Sequence, residues 1–298
     1  MGSVSKIYFT RDITPENVVR LYEKLGKQLK GNIAVKVHSG EAGNQNYLRP
    51  PFWKPIVDYV GGTIVECNTA YEGERNSSEK HRKLIQEHGW NDYFKVDLMD
   101  QEGPDAELPI KRDHVHLKSD IVGKNLLNYD SMLVLAHFKG HPMGGYGGAL
   151  KQLSIGCASC AGKVNIHSAG KYLKAEEQTV VWDDLPEQNA FLESMAEAAS
   201  AVTDHFEGRV VYVNVMANMS VDCDCCAVAE DPCLKDIGIL IATDPVAIDQ
   251  ACIDLVRKSG DPGVEHFMER VGSRNGEHTI EIAAGMGIGV REYELIEL

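Results

Sequence analysis

Short apolar runs rich in Val, Ile and Leu recur along the chain, and several are followed by stretches in which apolar residues return at helical spacing. Residues 33–37 precede a helical pattern over 50–60, and residues 63–67 precede one over 77–88. This alternation predicts βαβ units. Further strands are expected at 7–9, 131–135, 210–215 and 237–241. Most of these runs are apolar at both odd and even positions, the pattern of parallel strands covered on both faces. Two longer amphipathic helices are predicted over 187–206 and 245–258, the second with Thr243 or Asp244 as cap and Pro245 at its first position. Neither a low-complexity linker nor an internal repeat interrupts the pattern. The 298 residues therefore read as one α/β domain of mixed, mostly parallel sheets with flanking helices, and a division into two lobes around a cleft stays open.

Charge narrows the partners. Asp and Glu number 44 against 30 Lys and Arg, a net charge of -14. Such a field repels polyanions, so nucleic acid and acidic membrane surfaces are not expected to bind. The N-terminal residues carry no basic-then-apolar export signal and no apolar stretch approaches a membrane span, so a cytoplasmic location is expected. In that compartment the eight cysteines point to metal, redox or packing roles rather than disulfides. Cys67 and Cys252 stand alone, Cys157 and Cys160 form a CxxC, and Cys223, Cys225, Cys226 and Cys233 fall within eleven residues.

In open α/β sheets the loops leaving the carboxyl ends of strands build the site. The chemically unusual residues fall in such loops, at 38–41, 68–71 and 137–141, and residues 137–160 are the best-marked segment. His137, Lys139 and His141 lead into Gly144, Gly145, Gly147 and Gly148, and Lys151 follows. Those glycines would let the backbone approach a ligand, and the helix after them would aim its N–H groups at an anion. A tight strand-to-helix turn with solvated histidines is the plainer alternative. The segment is neither a P-loop nor a dinucleotide fingerprint, because Lys151 is not followed by Ser or Thr and Leu150 stands at the third glycine position. In extended chain Cys223 and Cys225 point to one side. Together with Cys157 and Cys160 they would supply four thiolates, enough for tetrahedral zinc or an iron–sulfur cluster. Free thiols packed at a strand end would explain the same residues. His167 alone carries no signal.

Residues 137–141, 144–151, 156–159, 222–225 and 237–250 closely resemble the domain of unknown function 362 family, a group described as iron–sulfur centre proteins. The resemblance extends to residues 36–38, 46–51 and 68–69. Many members carry a ferredoxin-like insertion with two CxxCxxC runs between the positions of His167 and Trp182, whereas residues 168–176 here contain no cysteine. Only Cys157, Cys223 and Cys225 match family positions, and Cys160 is an addition. A more distant likeness is to the nickel-pincer lactate racemases, in which a catalytic His precedes a glycine-rich turn, a Lys holds the cofactor and a later His ligates nickel. The resemblance implies His141 as a proton-transfer residue, Lys151 as a catalytic or cofactor-anchoring residue, His167 as a metal ligand and Arg49 as a contact of an anionic substrate.

Three readings follow. One is a metal- or cofactor-dependent oxidoreductase or isomerase acting on a small anionic ligand. There Arg49, His137, Lys139, Gly144, Gly145, Gly147, Gly148 and Lys151 contact ligand or cofactor, while Cys157, His167, Cys223 and Cys225 hold a metal ion or iron–sulfur cluster. The second is a non-catalytic redox or metal-binding module, and the third a binding protein for a phosphorylated metabolite. A homodimer is among the oligomeric states left open.

Overall fold

The runs at 131–137 and 210–216 form the longest adjacent strands, and every one of their positions is buried, as all-apolar runs require. In the computed structural model, which describes residues 4–102, 105–172, 180 and 182–298, the strands are β1 (Ser5–Thr10), β2 (Ile33–Lys36), β3 (Thr63–Glu66), β4 (Val96–Leu98), β5 (Ala106–Pro109), β6 (Ser119–Val122), β7 (Ser131–His137), β8 (Lys139–His141), β9 (Gly145–Gly147), β10 (Val210–Met216), β11 (Gly238–Ala242) and β12 (Tyr293–Glu297). Eight of them form one sheet in the order β12-β1-β11-β10-β7-β2-β3-β4. All pairs are parallel except the two made by β11, with β1 and β10. The fold is therefore mixed α/β with a mostly parallel central sheet, and nine α-helices flank it among the described residues.

Strand alternation divides the core between the two faces. Val35, Val213 and Ile241 pack on one side with helices α1 (Pro15–Leu25) and α2 (Pro50–Val60). Ala34, Tyr212 and Leu240 pack on the other, against α4 (Ala149–Cys157), α6 (Gln188–His205) and α7 (Pro245–Lys258); α3 (Ser78–Glu87) and α5 (Cys160–His167) lie between these in the chain. Asp244, not Thr243, caps α7, accepting from the amides of Val246 and Ala247 at 2.9 Å each. Among the described residues no helix is long and apolar enough to cross a membrane.

Two departures from the sequence pattern matter for the site. The glycine-rich segment is not a plain turn but a short antiparallel ribbon, β8 against β9, ahead of α4. Cys157 ends α4 and Cys160 begins α5, with Ala158 extended between them, so the CxxC straddles a helix break. The stretch 168–176 that lacks the ferredoxin cysteines lies partly outside the described residues. Because β2, β3, β7 and β10 run parallel, their carboxyl ends carry residues 38–41, 68–71, 138–141 and 217–226 to one edge of the sheet.

Candidate metal and anion site

A cleft of about 630 Å³, counted to its open mouth, lies at that edge. Five cationic side chains border it, Lys36, Arg75, Lys139, Lys151 and Lys163, with Glu66 as the only carboxylate on its wall among the described residues. All five cations are buried. Unpaired buried ammonium groups would be very costly, and four of these cations have anionic partners. Lys36 Nζ lies 2.7 Å from Glu66, Lys139 Nζ 2.8 Å from Asp224, and Arg75 Nε 3.1 Å from Glu41. Burial alone would raise the Glu66 and Asp224 carboxyls. Lys36 and His38 beside Glu66, and His137 and Lys139 beside Asp224, outweigh it and hold both well below the usual carboxylate range.

The fourth cation is paired to sulfur. Lys151 Nζ donates to Cys223 Sγ at 3.0 Å. Burial opposes ionisation of Cys223, but a hydrogen bond from the Cys225 thiol and the nearby Lys151 and His141 outweigh it and hold the group well below the usual thiol range. Cys225, the donor in that contact, is held as a thiol. His141 Nε2 stands 3.8 Å from Cys225 Sγ, and one donor atom from each of His141, Cys223 and Cys225 lies within 4.8 Å of the others. Tetrahedral ligands at metal–sulfur and metal–nitrogen distances of about 2.3 and 2.0 Å sit roughly 3.5–3.8 Å apart, so type and reach fit a soft ion. Burial, aided by Lys151, lowers His141 to about 4, so its ring is neutral. Its Nδ1 accepts from the amides of Met143 and Gly144 at 3.2 and 2.8 Å, which puts the ring proton on Nε2, toward the thiols. The two sulfurs are therefore the leading donors. His141 would join them as a ligand only on losing that proton.

The family described as Domain of unknown function (DUF362) matches residues 33–254. The chain belongs to this family. No curated protein matches it. Among solved structures it is similar to the lactate racemase apoprotein from Thermoanaerobacterium thermosaccharolyticum, at 13% identity and a TM-score of 0.42, over 71% of this chain and 51% of that one. It is also similar to a structural-genomics protein from Thermotoga maritima, at 12% identity and a TM-score of 0.44, over 91% of this chain and 58% of that one. The chain thus spans between half and three-fifths of the length of these two proteins.

In this family member several expected contacts lie elsewhere. The first amides of α4 do not face an empty anion site. Ala149 and Leu150 donate to the two oxygens of Asp249 at 2.8 and 3.0 Å, and Asn214 and Tyr146 complete the set at 2.8 and 3.2 Å. The chain's own carboxylate fills the helix end. Gly148 is needed for it, since a Cβ there would lie 2.4 Å from Asp249 Oδ1. Of the four glycines at 144–148, Gly147 and Gly148 border the cleft, while Gly145, at φ 79°, turns the ribbon against Gly276 and Gly144 gives its amide to His141.

Arg49 is exposed and off the cleft wall, its guanidinium 3.8 Å over the ring of Tyr47. Arg75 supplies the guanidinium in the cleft, from an irregular loop whose sequence carries no periodic signal. The set of four thiolates is not assembled. Cys157 is fully buried in the core, its Sγ 3.5 Å from Gln152 O, and burial pushes its thiol up to about 12, while Cys160 Sγ faces Thr69 O at 3.3 Å. His137 is committed on both nitrogens, to Asp224 at 2.9 Å and Ala217 O at 2.6 Å, so it steadies the cysteine loop rather than meeting a ligand. His167 does line the cleft. Its Nδ1 gives its proton to Lys163 O at 2.6 Å, which leaves Nε2 as a bare acceptor, although it lies outside the group of three donors. His38, also on the wall, accepts from the Gly40 amide at 3.1 Å.

Proposed function

We propose that the protein binds a soft metal ion through Cys223 and Cys225, assisted by His141, and takes a small anion, a carboxylate or a phosphate, into the adjoining cleft as substrate. The observation that carries this reading is the concentration of five buried cations around one cleft in a chain of net charge -14, with two thiol sulfurs and an imidazole at one end of it. A metal with three protein donors keeps a position for substrate, where it would polarise a bound oxygen. Lys139 and Lys163 would hold the anion's charge. His141 serves either as third ligand or, keeping its Nε2 proton, as the acid, and Lys151 is its catalytic partner. Two thiols are too few for an ordinary four-thiolate cluster, which favours a single ion over an iron–sulfur centre.

Elemental analysis of protein purified without oxygen tests the metal, with Cys223→Ser/Cys225→Ser as control. One soft ion per chain that the double variant loses is the expected result, and a metal-free wild type that takes up neither zinc nor cadmium refutes it. Thermal-shift titration with malonate and with inorganic phosphate then separates the two anion classes.

A further inference from the structure

The contact between Lys151 and Cys223 does more than place a buried ammonium against sulfur. Lys151 starts on the first turn of α4, passes Gly147, whose missing Cβ would lie 3.3 Å from Lys151 Cδ, and ends with its ammonium 3.0 Å from Cys223 Sγ. The same lysine borders the cleft. Its charge lies against the sulfur that leads the metal-ligating group, and a second positive charge cannot share that sulfur at low dielectric without strong repulsion. Lys139 cannot leave so readily, because its ammonium is fixed 2.8 Å from Asp224.

Resting on the metal reading above, we propose that Lys151 is a tethered counter-cation that an incoming metal ion displaces from Cys223, and that the displaced ammonium swings into the cleft and binds the anionic ligand there. Metal and anion binding are then coupled through one side chain. The metal forms coordinate bonds to the sulfurs of Cys223 and Cys225, the Cys225 thiol gives up its proton to solvent, and the Lys151–Cys223 ion pair is exchanged for one between Lys151 and the anion. By linkage the factor by which metal tightens the anion must equal the factor by which the anion tightens the metal.

Cadmium and malonate are suitable probes, with the thiolate-to-cadmium charge-transfer band reporting metal and calorimetry reporting malonate. In the wild type, cadmium should tighten malonate binding by about tenfold, within the usual range for coupled sites, and malonate should tighten cadmium equally. In Lys151→Met, cadmium should bind at least as tightly as in the wild type, while the coupling factor falls to near one. Lys151→Gln, read in the same way, serves if the Met variant does not fold. A factor of one in the cadmium-loaded wild type overturns the proposal, as does a factor that survives in the Lys151 variants. Absence of the charge-transfer band in the wild type would instead remove the metal reading itself, and this proposal with it.

Discussion

A methyl group on Gly148 would lie 2.4 Å from Oδ1 of Asp249, a residue 101 positions further along the chain. That closeness joins the entry of α4 to the middle of α7 and keeps the first amides of α4 occupied from within.

Gly148→Ala should therefore push Asp249 off the amides of Ala149 and Leu150. Unsatisfied buried donors cost about 1–3 kcal/mol each, so a loss of roughly 2–4 kcal/mol in urea-unfolding free energy is expected. Asp249→Ala should cost a similar amount, and the double variant only slightly more than either single change. A fully additive double variant would mean that the two positions act independently.

The same carboxylate has a pH signature. Burial pushes Asp249 up to about 6 from an ordinary 3.8, despite the hydrogen bonds that lower it. A folded pKa above the unfolded one means that the native state holds the proton more tightly. The stabilisation is thus present below about pH 4 and is lost as pH rises to about 6, by some 2–3 kcal/mol. Comparing unfolding free energies of wild type and Asp249→Asn across that window checks this. The difference in slope should be positive proton uptake by the wild-type native state, and parallel curves would refute it.

Lys36→Met leaves Glu66 with the Ser39 amide and hydroxyl and with the more distant Arg75, 4.0 Å away. Removing one partner of a buried ion pair costs about 3–5 kcal/mol. Lys36→Met/Glu66→Gln should recover much of the loss in thermal unfolding, and no recovery would show that the lysine acts through packing alone.

Arg49 and Arg75 should separate cleanly. Arg49→Ala removes an exposed stack on Tyr47, worth about 0.5–1 kcal/mol, and should leave the malonate-induced thermal shift intact. Arg75→Met takes a cation from the cleft wall and should weaken that shift by severalfold. Equal effects, or the reverse order, would return the substrate contact to Arg49.

The elements most legible in the sequence were those whose signal is local. The helix Pro245–Lys258 is marked by its cap, its first-turn proline and its periodicity, and the buried strands by their β-branched runs. The β8–β9 ribbon leaves no mark in the sequence pattern because three-residue strands are too short to show a period. The glycines stand out in the sequence but their reason does not: Gly148 answers to Asp249, which no local pattern connects to it. Cys157 and Cys160 read as a pair because spacing is visible in sequence, whereas the helix break that turns their thiols to different surroundings is not. Arg75 carries no signal in its neighbours, and only the fold brings it to the cleft.

Gly140 presses directly on the chain at Val221, where an added Cβ would meet the carbonyl oxygen at 2.3 Å, and its amide donates to Ser220 O at 2.8 Å. With no side chain between them, the ribbon bearing Lys139 and His141 and the loop bearing Cys223 and Cys225 form a single jaw. The spacing of imidazole and sulfur is thus tied to a backbone contact. If the cleft takes the proposed anion, adaptation to anions of different length would fall to the opposing jaw, where Tyr71 and Arg75 stand on irregular chain, so variants that alter size preference should map there and not to the wall bearing Cys225.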